Sequence, residues 1–236
     1  MLTCRFLGGP EFTVDEKPVR PGRRKSIALT AYLITTGRPH SREMLAGLFW
    51  PDSPREKARA SLRRTLSEMT LSLGRFWLDI NRETIGFIPH DRIRADVTEF
   101  ISLASPGRDR RAVEPDALEK AALIYRGDFL EGFSLGDAPD FDDWQAGQRE
   151  ILNRTVLRIL KQLVQAYAVS GEDTKAIDHA SRWTALDPLN ESAHRHLIRL
   201  YGRAGEKSLA LRQYEICEQV LARDLGITPD KQTRIL

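Results

Sequence analysis

Ser53-Pro54-Arg55-Glu56-Lys57-Ala58-Arg59-Ala60-Ser61-Leu62-Arg63-Arg64-Thr65-Leu66-Ser67-Glu68-Met69-Thr70-Leu71-Ser72-Leu73-Gly74 carries the plainest helix signal in this 236-residue chain. Ser53 stands at a capping position, Pro54 at a first helical position where its missing N–H is not needed, and Glu56 three residues after the cap. Ala58, Leu62, Leu66, Met69 and Leu73 then recur at three and four, one apolar stripe of a helix that Gly74 ends. Advancing about 100° per residue from Leu62, the side away from it holds Lys57, Ala60, Arg63, Arg64 and Ser67, and Arg55 and Arg59 complete the basic run. Between Arg55 and Arg64 only Glu56 is acidic. A basic face alone is what a solvated helix commonly shows, so its neighbours decide the meaning.

Upstream, Leu2, Cys4 and Phe6, then Phe12 and Val14, alternate in two short runs around Gly8-Gly9-Pro10, which predicts a small antiparallel sheet with Asp15-Glu16-Lys17-Pro18 as turn residues. Ile27, Ala28, Ala31, Tyr32 and Ile34 recur at helical spacing from Arg24 to Thr36, and Gly37-Arg38-Pro39 stops that helix. Ser41 caps a second helix to about Trp50. Downstream, residues 76–80, Asn81-Arg82-Glu83 and residues 84–87 read as strand, tight turn, strand. Small sheet, three helices and hairpin in that order make a winged helix-turn-helix whose third helix is suited to a major groove. Candidate DNA-binding residues are Arg55, Lys57, Arg59, Arg63, Arg64 and Ser67 on the third helix, Arg82 at the hairpin tip, and Arg24 and Lys25 in the basic run that opens the first helix.

Charge separates the two parts of the chain. Residues 1–95 carry 17 Lys and Arg against 10 Asp and Glu, whereas residues 96–236 carry 19 against 23. A basic part attracts polyanions and an acidic one does not share that surface, so domains at 1–95 and 96–236 are expected to have different partners. From about residue 96 the pattern turns to helices separated by polar loops, after a strand-like or irregular connection from Pro89 to Arg94. Tyr167, Gly171 and Ala176 recur as Tyr201, Gly205 and Ala210, each 34 residues on. That is the TPR period, with Gly at the inter-helix turn and Ala where helices approach closely. The expected fold class is mainly α: an N-terminal winged helix-turn-helix with small sheet and β-hairpin wing, then an all-α TPR-like domain.

Features that suggest other chemistry have plainer readings. Asp137, Asp140, Asp142 and Asp143 precede a long helix, where acids favour the first turn. His194 and His196, two apart, lie about 200° apart on a helix and cannot share a metal. Gly205-Glu206-Lys207-Ser208 lacks the Gly that a phosphate loop needs directly before Lys. Trp50, Trp77, Trp144 and Trp183 all lie on or beside apolar stripes. Cys4 and Cys217 lack metal or redox spacing. No catalytic residue, cofactor or metal is expected. No apolar run reaches the roughly 18 residues of a membrane span, and the N-terminus does not read as a signal peptide, so a cytoplasmic location is expected.

Leu7-Gly8-Gly9-Pro10, Arg38-Pro39-His40-Ser41-Arg42-Glu43, Leu48-Phe49-Trp50-Pro51-Asp52-Ser53, Ala58-Arg59-Ala60-Ser61-Leu62-Arg63-Arg64, Tyr125-Arg126-Gly127-Asp128-Phe129-Leu130-Glu131-Gly132-Phe133 and Phe141-Asp142-Asp143-Trp144 resemble SARP-type (AfsR/DnrI-like) regulators over nearly the whole chain. The resemblance implies an OmpR-like winged helix followed by a bacterial transcriptional activator domain, a pair that also opens longer proteins. It implies promoter DNA and RNA polymerase as partners. The expected function is a sequence-specific DNA-binding transcriptional regulator, an activator, working without covalent chemistry. The alternative is a protein-interaction adaptor whose winged helix serves only for docking. Homodimer formation, with operator half-sites to match, stays open at this level.

Overall fold

A computed structural model describes residues 1–88, 92–105 and 114–236. Pro89, at the start of the expected connection, and most of the expected polar loop from Ser105 to Pro115 lie outside the described residues. Contacts group Met1–Ser105 with Leu123–Asn153 in one compact unit, and the described part of Pro106–Ala122 with Arg154–Leu236 in a second. This grouping differs from the 95/96 border that charge suggests, because residues 123–153 bury their aromatic side chains among those of the N-terminal part.

In the first unit the elements run β1 (Leu2–Arg5), β2 (Glu11–Val14), β3 (Lys17–Pro18), α1 (Arg24–Thr36), β4 (His40–Ser41), α2 (Arg42–Phe49) and α3 (Arg55–Leu73). They continue as β5 (Leu78–Ile80), β6 (Thr84–Phe87), β7 (Ile93–Ala95) and α4 (Asp96–Ala104). The first sheet has the order β3-β2-β1-β7. β1 and β2 are antiparallel, and Asp15 and Glu16 between β2 and β3 take positive φ of 47° and 65°, as a two-residue hairpin turn requires. The fourth strand, β7, joins parallel to β1, pairing Ile93 with Leu2. It comes from the segment read as strand-like or irregular, which is too short for periodicity to classify.

The helices form where expected, with one different start. Ser41 accepts from Met44 N at 3.1 Å and caps α2. Ser53 does not cap α3: Pro54 holds the cap position, with no side-chain cap bond, and its carbonyl accepts from Ala58 N at 3.0 Å. Ser53 N instead donates to Trp50 O at 3.2 Å, finishing the turn after α2. All five residues of the apolar stripe, Ala58, Leu62, Leu66, Met69 and Leu73, are buried. After Gly74, whose φ of 95° turns the chain, Arg75–Trp77 forms a 3₁₀ turn where a strand was expected. That turn buries Trp77 and leaves Phe76 61% exposed, an arrangement that a strand beginning at Phe76 would change. The hairpin β5–β6 then pairs Leu78 with Phe87 and Ile80 with Ile85, and β4 extends it by pairing His40 with Ile85.

One clamp fastens residues 125–133 to the N-terminal strand. Leu130 N donates to Phe6 O at 2.8 Å, Gly8 N to Asp128 O at 2.9 Å, and Glu131 N to Gly8 O at 3.0 Å. Gly127 allows the close approach there, since a Cβ on it would stand 3.3 Å from the Gly8 Cα. The Asp96 carboxylate closes the same corner by accepting from Phe6 N at 2.7 Å, Leu7 N at 3.0 Å and Val97 N at 2.7 Å. Burial pushes its pKa up, against those three donors and Arg126, which favour the charged form. Phe6, Phe12 and Phe129 meet edge-on behind the clamp at 5.7 and 6.2 Å, and Trp144 lies 4.7 Å from Tyr32 and 5.8 Å from Phe129.

The second unit is helical: most of α5 (Pro115–Ile124), the later part of α6 (Pro139–Ser170), α7 (Asp173–Leu186), α8 (Glu191–Arg203), α9 (Lys207–Leu225) and the short α10 (Lys231–Arg234). The 34-residue repeat is visible in the backbone. Gly171 and Gly205 both have φ of 79°, and beside them Glu172 N donates to Tyr167 O at 3.0 Å and Glu206 N to Tyr201 O at 2.9 Å. Gly reaches that left-handed conformation without Cβ strain, which lets α6 turn into α7 and α8 into α9 by the same path. His194, fully buried, has one tautomer fixed: Nε2–H donates to Pro188 O at 2.8 Å and Nδ1 accepts from Gln213 at 2.7 Å.

Asp96→Ala removes the acceptor of two long-range amides and leaves them in a part-buried corner. Chemical denaturation is expected to show a loss of about 3 kcal/mol, the scale of a charged acceptor and its orphaned donors. A loss under about 0.5 kcal/mol, typical of an uninvolved surface site, would show that the clamp does not depend on this carboxylate.

Candidate nucleic-acid interface

α3 buries the Leu62 stripe and leaves Lys57, Arg59, Arg63, Arg64 and Ser67 exposed. The wing brings Arg82 to the same place. The Asn81 side chain shapes the tip: its Oδ1 accepts from Glu83 N at 2.9 Å and Thr84 N at 2.8 Å, and its Nδ2 donates to Thr84 Oγ1 at 2.8 Å. Arg42, at the start of α2, holds that tip with its backbone N on Glu83 O at 2.9 Å and its Nε on Asn81 O at 2.9 Å. His40 anchors the base of the wing. It is buried, shares a 2.8 Å hydrogen bond with Thr36, and is held below the ordinary imidazole pKa first by burial and then by Arg38.

Arg42, Arg59, Leu62, Arg63 and Arg82 line one cleft of about 260 Å³. No carboxylate among the described residues lines it. Among the described residues Lys57, Arg59, Arg63, Arg64 and Arg82 have no ion-pair partner, so their charge faces solvent unneutralised. Such a set favours an anion that supplies several oxygens at once, because guanidinium groups bind phosphate as planar forks. Arg42 was not among the residues singled out from sequence. It belongs to no apolar or basic stripe, and only β4–β6 pairing brings it beside Arg82.

The remaining candidate residues are engaged elsewhere. Arg55 pairs with Glu43 at 2.5 Å, both side chains being about two-thirds exposed, at 65% and 64%. Arg24 donates to Ser134 O and lies 4.7 Å above the Phe133 ring. Lys25 donates to Phe49 O at 2.6 Å, pairs with Asp137 at 2.8 Å and lies 5.0 Å over Trp50, with its side chain only 16% exposed. These two cations therefore meet the 133–137 segment, and share with Arg64 and Ser61 a cleft of about 400 Å³. The acidic cluster read as a helix start is divided between two tasks. Asp137 takes Lys25, while Asp142 accepts from Leu135 N and Gly136 N, each at 2.9 Å.

Residues 91–236 match the family model of the bacterial transcriptional activator domain. The chain belongs to that family. It is 28% identical over 248 residues to the transcriptional regulatory protein EmbR of Mycobacterium tuberculosis, an alignment covering all of this chain and 62% of that protein. It is also 28% identical over 215 residues to the regulatory protein AfsR of Streptomyces griseus, covering 88% of this chain and 22% of that protein. The chain thus spans less than two-thirds of the length of these relatives, both of which are named as regulators. A solved structure of M. tuberculosis EmbR in complex with a low-affinity phosphopeptide superposes with a TM-score of 0.72 at 24% identity, over 99% of this chain and 63% of that one, and so shares the fold. No helix among the described residues is long and apolar enough to cross a membrane.

Substitutions should separate the two groups of cations. Lys57→Ala and Arg63→Ala are expected to change stability by no more than about 0.5 kcal/mol, as exposed sites without partners do. Lys25→Ala is expected to cost about 1.5–3 kcal/mol, the range for hydrogen bonds to a charged group. Urea melts of the three variants measure the difference, and equal losses in all three would contradict the assignment.

Proposed function

We propose that this chain is a sequence-specific DNA-binding transcriptional regulator of the activating kind. The observation that carries this reading is the group of cations along α3 and the wing that have no ion-pair partner among the described residues, gathered around a cleft that none of the described carboxylates lines. Residues near the start of α3 reach base edges in a major groove, with Ala60 allowing close approach, while Arg59, Arg63 and Arg64 bind phosphates or guanine edges and Ser67 a phosphate. Arg82 contacts the sugar-phosphate backbone from the wing, and Arg42 sets its position. Arg55 exchanges its exposed carboxylate partner for phosphate at small cost, since an exposed ion pair contributes only about 0–1 kcal/mol. Arg24 and Lys25 act at one remove, holding the 133–137 segment beside α3.

The relatives' printed roles as transcriptional regulators support the reading, and family membership supports RNA polymerase as the partner of the helical half. The two tasks divide as the sequence suggests, DNA to the winged helix and protein to the repeats. The mechanism is binding alone: it raises the local concentration of polymerase at a promoter and needs no covalent chemistry.

Selection of bound duplexes from a random pool at physiological salt tests the reading, and a recurrent motif is the expected result. Affinity for the selected duplex should fall steeply with salt, by about 0.9 log unit per log unit of salt for each phosphate contacted. Arg82→Ala should lower that slope by about one unit and weaken different sequences alike. Absence of any recovered motif, with binding independent of salt, would favour the adaptor role.

A further inference from the structure

The acidity of the second half is not spread evenly. Residues 96–153 carry 6 Lys and Arg against 13 Asp and Glu, but residues 154–236 carry 13 against 10. Within the repeats the later part of α6 and α8, the first helix of each pair, carry their cations almost without acids. No acidic residue lies between Arg154 and Ser170, and α8 has only Glu191. On α6, Val156, Leu160, Leu163 and Tyr167 face the interior, so Arg154, Arg158 and Lys161 point the other way, and all three are exposed. On α8, Ala193, Leu197 and Leu200 are buried, which turns His196, Arg199 and Arg203 outward at spacings of three and four.

The two stripes adjoin. Arg203 donates to Ala168 O at 3.0 Å, joining the end of α8 to α6. Lys161 of α6 and Arg199 and Arg195 of α8 all act on the His196 imidazole, which burial first and then these charges hold below its ordinary pKa. His196 rests 5.8 Å from the Trp183 ring of α7, giving the face an aromatic floor. Lys161 and Arg199 are exposed and have no ion-pair partner among the described residues. Arg203 is held by Asp173 at 2.9 Å, and Arg195 by Asp230 at 2.9 Å with Glu191 at 3.9 Å.

We propose that the joined outer faces of α6 and α8, centred on Lys161, His196 and Arg199, bind a short acidic peptide segment of a partner protein. The lengths agree. His196 to Arg203 spans about 10 Å of helix at 1.5 Å per residue, the length of about three extended peptide residues. The boundaries favour peptide over nucleic acid, because Asp173 closes one end of the stripe and Glu191 with Asp230 the other. A duplex backbone running along the face would meet those carboxylates, whereas a few Asp or Glu side chains fit between them. First helices of stacked repeats offer a ready surface for an extended segment. This surface uses no residue of α3 or the wing, and the inference does not rest on the DNA-binding reading.

The test uses the full chain and a fluorescein-labelled dodecapeptide of alternating Glu and Asp, with its Gln/Asn counterpart and a labelled random duplex as parallel probes. Anisotropy should show binding of the acidic peptide and none of the neutral one. Lys161→Glu combined with Arg199→Glu should weaken the acidic peptide about tenfold or more and leave duplex binding within twofold. Lys207→Glu with Arg212→Glu, an equal charge change on exposed residues of α9, should leave the peptide affinity near that of the parent. Circular dichroism checks each fold, and Lys161→Gln with Arg199→Gln replaces the reversal if that variant unfolds. Failure of the parent to bind the acidic peptide overturns the proposal, as does equal loss in the α9 variant, which would reduce the effect to net charge. Loss of duplex binding in the Lys161/Arg199 variant also overturns it, by making the face a nucleic-acid surface.

Discussion

Burial of the α3 stripe is the constraint on which the first unit depends. Ala58, Leu62, Leu66, Met69 and Leu73 cannot all leave water unless the opposite side of the helix faces it, and the larger of them are each worth roughly 1.5–3 kcal/mol when buried. Lys57, Arg59, Arg63 and Arg64 are thereby presented together with no ion pair among the described residues to hold them. Their mutual repulsion is supported by packing on the far side of the same helix. α1 and α2 both pack on α3, and the wing hydrogen-bonds to the first turn of α2, so every part of the candidate interface is positioned from that one buried stripe.

Charge in the N-terminal part serves two different ends. Among the described residues Lys57, Arg59, Arg63 and Arg64 on α3 and Arg82 on the wing are left unneutralised, whereas Arg24 and Lys25 are spent inside the unit on Ser134, Asp137 and the faces of Phe133 and Trp50. Lys25 shows the difference most clearly: its stem is covered and its ammonium satisfies a backbone carbonyl as well as a carboxylate. Together with the Gly8 and Asp96 clamp, these contacts make residues 123–153 part of the body that carries α3. The family's matched region, residues 91–236, therefore reaches into both compact units.

In the second unit the repeat acts as a ruler. Equal spacing of Tyr167 with Tyr201 and Gly171 with Gly205 gives the two helix pairs the same turn, so equivalent outward positions on α6 and α8 line up side by side. Cations that look scattered in the sequence then become neighbours. Acidic residues such as Asp173 and Glu191 limit how far that basic face extends.

Local pattern was enough for most elements. The α3 stripe, the Ser41 cap, the hairpin around Asn81-Arg82-Glu83 and the 34-residue repeat all depend on interactions within a few turns of chain or on a simple period, and these are written directly in residue order. It was also enough to place Lys57, Arg63 and Arg82 on exposed surfaces. Sequence order put the cap of α3 at Ser53, but the turn after Trp50 takes Ser53 and leaves Pro54 in the cap position. Sequence order also could not show that β7 pairs with β1, that Arg42 stands beside Arg82, or that Lys25 turns toward Asp137. Each of those joins residues about 40 to more than 100 positions apart, and nothing local distinguishes a cation that will find a distant carboxylate from one that will not. Sequence therefore determined the helices, their buried faces and the basic character of α3; tertiary structure alone decided which cations remain free, because neutralisation depends on what long-range packing brings within a few ångströms.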